Sequence, residues 1–267
     1  MAVTLRYKLL ALDLDGTILG LELSLDPRDV AAVQRLVAAG ITVIACTGRP
    51  FPGAAPWATR LGLDGPIVCY QGAQVRTLDG GVLLDHGIRH DLAMEVIRYA
   101  QERDLHVQAY RDDLLIVARD RPEARRYAEH ASMDVHVVGD LDQAMGPTTP
   151  KLVIVSTPEV LDALLPDARR RWAGRLNVAT STADYLEFTS VESDKASALK
   201  FLSERLGIPQ AEVVAVGDGR NDASMIVWAG LGVAVEGSPS EVIAAADRTI
   251  PGPGNGGIVE LAEALLT

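Results

Sequence analysis

The chain has only two cysteines, Cys46 and Cys69, and each sits inside an apolar run, Ile41 to Cys46 and Pro66 to Tyr70. Two thiols in buried-strand patterns exclude a disulfide framework and a cysteine metal centre, and the expected compartment is a reducing cytoplasm. Positive charge is also short. Across 267 residues, 25 Lys and Arg stand against 36 Asp and Glu, a formal net charge of −11. That field repels phosphate backbones and anionic headgroups, so no nucleic acid and no membrane surface is expected as a partner. No apolar stretch approaches the roughly 20 residues of a membrane-crossing helix. The run Leu9 to Leu12, behind Arg6 and Lys8, is cut by Asp13 and is too short for a signal peptide. Internal repeats and low-complexity linkers are missing as well. With 48% hydrophobic and 23% charged residues, the composition is that of an ordinary globular protein of one large or two smaller domains.

What is present alternates between two patterns. Apolar runs at Lys8 to Asp13, Ile41 to Cys46 and Pro66 to Tyr70 read as strands. A helix between the first two is announced by Asp26-Pro27 and stopped by Gly40, and another surrounds Trp57 and Leu61. The same alternation returns late, with helices at Ala196 to Leu206, Asp222 to Trp228 and Ile258 to Leu266, and strands at Val213 to Val216 and Gly232 to Val235. Strands that are apolar throughout and separated by helices indicate a doubly wound, Rossmann-like parallel sheet, an α/β fold covered on both faces.

Between these halves the pattern changes. Asp79-Gly80-Gly81 separates Val75 to Leu78 from Val82 to Asp85, a hairpin signal. Helices at Leu92 to Glu102 and near Glu123 and Val160 then mix with strands at His106 to Ala109, Leu114 to Ala118, Lys151 to Val155, Asn177 to Thr180 and Tyr185 to Phe188. The expected organisation is an α+β domain over residues 82–188 inserted into a core made of 1–81 and 189–267.

Chemistry concentrates at the ends of the core strands. In Asp13-Leu14-Asp15-Gly16-Thr17 two carboxylates at i and i+2 follow a strand, a spacing that turns both to one side of an extended chain. Thr47-Gly48-Arg49 ends the second strand with a hydroxyl and a permissive glycine. Gly217-Asp218-Gly219-Arg220-Asn221-Asp222 brings further carboxylates to a helix start. Taken singly, each is also how a strand leaves into a turn or a helix is capped. Lys195 adds weight. It is one of four lysines beside 21 arginines, and it opens a helix, the unfavourable end of the dipole for a cation. All five histidines, His86, His90, His106, His130 and His136, fall in the insertion. Proton transfer in the core must therefore use carboxylates, and the histidines are expected at the surface. Gly252-Pro253-Gly254-Asn255-Gly256-Gly257 matches a dinucleotide fingerprint literally, but Pro253 lacks an amide and no acidic residue follows about 20 positions later.

Together, and in this order, the four segments resemble the haloacid dehalogenase superfamily and, within it, the Cof-type phosphatases. The first two segments are too close to admit a domain between them, whereas the stretch from Gly48 to Lys195 is long, so the resemblance implies a large cap in that second interval. It further implies hydrolysis of a small phosphorylated metabolite, sugar phosphates foremost. Asp13 would be the nucleophile that forms an aspartyl-phosphate, and Asp15 the general acid and base. A carboxylate and a phosphate repel by about 4 kcal/mol per unit-charge pair at about 4 Å and an effective dielectric of about 20, so cations must cancel the charge. The implied cofactor is Mg2+, with Asp13, the backbone carbonyl of Asp15, Asp218 and Asp222 as its site, Asp222 orienting a metal water or Lys195. Leu14, Thr47, Gly48, Lys195 and Asn221 would hold the phosphoryl oxygens.

The chain departs from the family pattern at Gln71, where asparagine is common before Gly72-Ala73, at Ala196 after the lysine, and at Asn255-Gly256-Gly257. These positions bear on pocket shape. A phosphomutase using the same intermediate and an inactive metabolite-binding module are the competing readings. Tyr110, Arg111, Asp112, Tyr185 and Glu187 are the candidate substrate contacts in the insertion.

Overall fold

Parallel strands Arg248–Ile250, Leu231–Val235, Val213–Gly217, Leu9–Leu12 and Thr42–Ala45 lie side by side in that order in the computed structural model. The structure describes residues 5–20, 22–63 and 65–267. The first strand in the chain is central. From it the chain winds outward to Thr42–Ala45, and it later re-enters on the other side at Val213–Gly217, which makes the gap between Leu9–Leu12 and Val213–Gly217 the switch point of the sheet. Leu12 stands opposite both Val216 and Ala45, so these three strands end level. A bridge from Cys46 to Val68 sets Ile67–Cys69 beside the second strand, and Gln74–Arg76 and Val82–Asp85 follow it in a three-stranded sheet.

Local signals explain the flanking helices. Pro27–Ala38 begins with proline in its first turn, and the Asp26 carboxylate accepts from the Arg28 amide at 2.8 Å. It buries Ala32, Val33 and Leu36 and packs against Gly257–Leu266. Lys195–Leu206 is capped by Asp194 and ends at Gly207 in the left-handed conformation that glycine adopts without cost. Its Ala198, Leu199 and Leu202 pack with Leu9, Ala11, Ile44 and Val213 in one fully buried cluster. Each such leucine contributes about 1.5–3 kcal/mol by leaving water.

The chain divides into two units. One holds the described residues up to Gly48 with Ala54–Leu84 and Asp194–Thr267; the other holds Arg49–Gly53 and Asp85–Ser193. The division falls a few residues from the boundaries read at 82 and 188. Leu83 and Leu84 pack against the cluster around Val68 and Val75, and Tyr185–Ser190 is a complete strand of the inserted sheet.

That inserted sheet runs Leu176–Thr182, Tyr185–Ser190, Leu152–Val155, His106–Arg111, Leu114–Val117 and Val135–Val137, antiparallel except for its last pair. Strand alternation sorts its residues. Val107, Ala109, Ile116, Leu152, Ile154, Leu186 and Phe188 join Ala93 and Ile97 of His90–Gln101 and Leu161 and Ala168 of Pro158–Arg171 in one core. Trp172 anchors it, edge-on to Tyr99 at 5.1 Å and to Phe188 at 5.2 Å. The opposite face carries a polar layer facing Pro122–Ala131, in which Lys151 Nζ lies 3.0 Å from Glu187 Oε1 and the Tyr110 hydroxyl donates to the Tyr127 hydroxyl at 2.6 Å.

The expected helices and strands are present. The short strands Ile88–Arg89, Thr148–Thr149 and Val135–Val137 and the helices Leu141–Ala144 and Ser240–Ala245 escape the periodicity reading, being too short to show a period. One expectation needs correcting: His106 is buried, hydrogen-bonded to Gln108 at 3.1 Å, because its strand faces the polar layer. Tyr110 and Glu187, read as candidate substrate contacts, likewise lie inside this unit, tied to Tyr127 and Lys151.

Candidate active site

Level strand ends bring three separate stretches of sequence to one place. Asp13 directly follows Leu12, and its amide donates to the Val216 carbonyl at 3.0 Å, so it sits across from the end of Val213–Gly217. The residue is 5% exposed, and its carboxylate accepts from Lys195 Nζ at 2.7 Å. The same ammonium donates to Asp222 Oδ1, while Asp222 Oδ2 accepts from the amides of Asp218 at 3.0 Å and Gly219 at 2.8 Å. Asp218 accepts from the Thr17 hydroxyl at 2.8 Å. Gly16 is required between them: φ is +81°, and a Cβ there would lie 2.3 Å from the Asp218 carboxylate.

Asp15 is exposed, unlike Asp13. The strand ends at Leu12, so strict alternation no longer governs the pair, and the chain turns sharply, the Leu14 carbonyl accepting from the Ile18 amide at 3.1 Å and the Leu19 amide at 2.8 Å. Thr47 is buried, its amide on the Val68 carbonyl at 2.9 Å and its carbonyl accepting from the Gln71 amide at 3.2 Å. Gly48 follows it, and Asn221 Nδ2 donates to Gln71 Oε1 at 2.8 Å.

The electrostatics are unbalanced. Lys195 is fully buried; burial alone would push its pKa down, but the carboxylates of Asp13 and Asp222 prevail and hold it raised, so the ammonium stays charged. Burial, and next the Asp222 charge, push Asp13 well above the usual carboxylate range against the pull of Lys195. Burial also raises Asp218, opposed by the Thr17 hydrogen bond. Asp13, Asp218 and Asp222 each bring one carboxylate oxygen within 4.8 Å of the others, a group that does not include the Asp15 carboxylate. Three carboxylates against one ammonium, all oxygen donors, suit a hard divalent cation. The hydrogen bonds engage Oδ1 of Asp13 and Oδ1 of Asp218, whereas both oxygens of Asp222 accept N–H groups. The donor set therefore fits a cation held by Asp13 and Asp218, and Asp222 serves the lysine and the loop amides.

The structure thus gathers Asp13, Lys195, Asp218 and Asp222 around one ion-pair cluster, and places Leu14, Asp15, Thr47, Gly48 and Asn221 on the loops adjoining it. Gln71, read from sequence only as a departure in pocket shape, also belongs here. Its signal is conformational. Tyr70, Gln71 and Gly72 have φ of 52°, 60° and 89° in succession, a left-handed run costing about 1–2 kcal/mol at each non-glycine residue.

Comparison with known proteins points the same way. Residues 10–261 match the haloacid dehalogenase-like hydrolase family. The HMP-PP phosphatase of Serratia proteamaculans is 30% identical over 227 residues, covering 85% of this chain and 83% of that protein. A solved Thermotoga maritima structure superimposes with a TM-score of 0.88 at 31% identity, covering 97% of each chain. A haloacid dehalogenase-like hydrolase from Bacteroides thetaiotaomicron superimposes with a TM-score of 0.89 at 27% identity, covering 97% of this chain and 99% of that one.

Proposed function

Because the chain belongs to the haloacid dehalogenase-like hydrolase family, in its Cof-type branch, we propose that it is a magnesium-dependent phosphatase of small phosphorylated metabolites, sugar phosphates foremost, acting through an aspartyl-phosphate. The observation that carries this reading is the buried Lys195 ammonium shared by Asp13 and Asp222 next to Asp218. It supplies a nucleophilic carboxylate, a fixed cation and a place for a second cation within one cluster.

In this reading Asp13 attacks phosphorus and the ester oxygen departs with a proton from Asp15, which is exposed and so has access to both the leaving group and water. Asp15 then takes a proton from the water that cleaves the acyl phosphate, restoring Asp13 and releasing phosphate. The amides near Leu14 and Gly48, the Thr47 hydroxyl and the Asn221 carboxamide hold phosphoryl oxygens, and Lys195 offsets the charge that develops on them. Magnesium, held by Asp13, the Asp15 carbonyl and Asp218, would offset the repulsion between carboxylate and phosphate. Asp222 holds Lys195 in place. The inserted unit, Asp85–Ser193, is the proposed cap that selects the substrate. Cys46 and Cys69, both buried thiols outside any disulfide, accord with a reducing cytoplasm.

Asp13→Asn is expected to abolish hydrolysis of 4-nitrophenyl phosphate in the presence of magnesium. Turnover at the parent level overturns the reading. Free phosphate released from a hexose phosphate, with no isomerised sugar phosphate, separates hydrolysis from mutase chemistry.

A further inference from the structure

We propose that Gln71 is a positioning residue of this site, holding the Asn221 carboxamide by its side-chain oxygen and turning its own amide nitrogen over Gly48. The proposal rests on the phosphatase reading above.

Gln71 stands at φ 60°, between Tyr70 at 52° and Gly72 at 89°. Among residues that carry a Cβ, asparagine enters this left-handed region far more readily than glutamine. Glutamine gives up that ease and gains the reach of one more methylene. The reach is used at both ends of its carboxamide. Oε1 accepts from Asn221 Nδ2 at 2.8 Å. Nε2 crosses the space a side chain at position 48 would need, since a Cβ on Gly48 would lie 2.4 Å from it.

Asn221 is held from its other end too. Its Oδ1 lies over Gly219, 2.3 Å from where a Cβ would stand, so its nitrogen faces Gln71. One Asn221 N–H is spent on Gln71 and the second remains for a ligand, beside the Gln71 amide nitrogen. The backbone of the same segment serves the same end. The Gln71 amide donates to the Thr47 carbonyl at 3.2 Å, and Gly72 packs so closely that a Cβ would lie 2.3 Å from the Asp194 carbonyl oxygen and 2.9 Å from the Lys195 amide. One dipeptide thus braces the Thr47-Gly48 turn, the start of the lysine helix and Asn221. Two neutral amide donors beside a buried cluster of carboxylates suit phosphoryl oxygens, which need N–H groups and gain nothing from a further anion.

The test uses the full chain with magnesium and three readouts: inorganic phosphate affinity by titration calorimetry, KM and kcat on 4-nitrophenyl phosphate, and the melting temperature. Gln71→Glu keeps the acceptor for Asn221 and removes the donors; Gln71→Asn eases the backbone and shortens the reach. Both are expected to weaken phosphate roughly tenfold or more and to raise KM more than they lower kcat. Gln71→Asn is expected to melt no lower than the parent, which separates positioning from folding. Phosphate affinity within about twofold of the parent in either variant overturns the proposal, as does a loss of affinity that comes with a lower melting temperature in Gln71→Asn. A parent chain that neither binds phosphate nor hydrolyses the aryl ester overturns the phosphatase reading itself. A parent that does both while the variants match it overturns the role of Gln71 alone.

Discussion

Each unit of this chain buries a lysine, and the two lysines live in opposite circumstances. In the inserted unit Lys151 meets one carboxylate, Glu187, at 3.0 Å, both nearly out of water, one charge against one. Burial alone would lower the Lys151 pKa, but the Glu187 charge, joined by Tyr127 and the hydrogen bonds to both, prevails and the group stays protonated. In the core Lys195 meets Asp13 and Asp222, with Asp218 in the same group, one positive charge against three negative. A buried pair that balances is complete as folded; a buried cluster that does not suits a cation, and Asp13, whose pKa burial raises well above the usual carboxylate range, is the proposed nucleophile.

The largest effect expected from this contrast comes from withdrawing the proposed divalent cation. Chelation with EDTA should bring hydrolysis to the blank rate, and readdition of magnesium should restore it. In unfolding experiments magnesium at about 100 times its Kd should stabilise the parent by about 2.7 kcal/mol, and Asp218→Asn should lose most of that gain. A metal-independent rate would remove the distinction drawn between the two clusters.

Next in size is the balanced pair. Glu187→Ala leaves an uncompensated buried ammonium and should cost the inserted unit about 3–5 kcal/mol in urea denaturation. The double replacement Lys151→Met with Glu187→Leu should recover most of that, since a matched apolar pair carries no desolvation penalty. The corresponding double replacement in the core, Lys195→Met with Asp222→Leu, should leave no activity however well the chain folds. If the Lys151 double variant is as unstable as Glu187→Ala, the pair is more than a structural balance.

The smallest expected effect is a pH slope in the inserted unit. His90 bonds Asp142 at 2.7 Å and the Gly146 carbonyl at 3.1 Å, and these raise its pKa above the ordinary 6.5, the Asp142 bond foremost. The folded form binds the proton more tightly, so this contribution is complete below about 6.5 and fades as the pH rises through the folded pKa. The stability difference between the parent and His90→Gln should shrink over that interval. A difference that grows with pH would reverse the assignment.

Much of the core was legible because each of its parts is local. Apolar strand runs, Asp26-Pro27 and Gly40 around one helix, and carboxylates directly after strand ends are all visible within a few residues. The meeting of Asp13, Lys195 and Asp218 followed from the resemblance and from where open parallel sheets hold ligands. Three features were not legible, each because it depends on distant partners. Asp222 was placed in the metal site, orienting a metal water or Lys195, and only the folded loop shows both of its oxygens accepting N–H groups, two of them from the loop's own backbone. Glu187 read as a candidate substrate contact because its partner Lys151 lies 36 positions away. Gln71 read as a variation in shape, since neither its left-handed backbone nor Asn221 150 positions later can be seen in the local pattern.

The order of the core sheet also sets a timetable for synthesis. Leu9–Leu12 emerges from the ribosome first, yet one of its two neighbours, Val213–Gly217, is made only after the whole of Asp85–Ser193. The inserted unit can close on itself while the central strand still has an open edge. A nascent chain therefore carries a complete α+β unit while the core still lacks its later strands, Leu231–Val235 and Arg248–Ile250 among them. No product truncated before Asp222 can possess Lys195 clasped between Asp13 and Asp222.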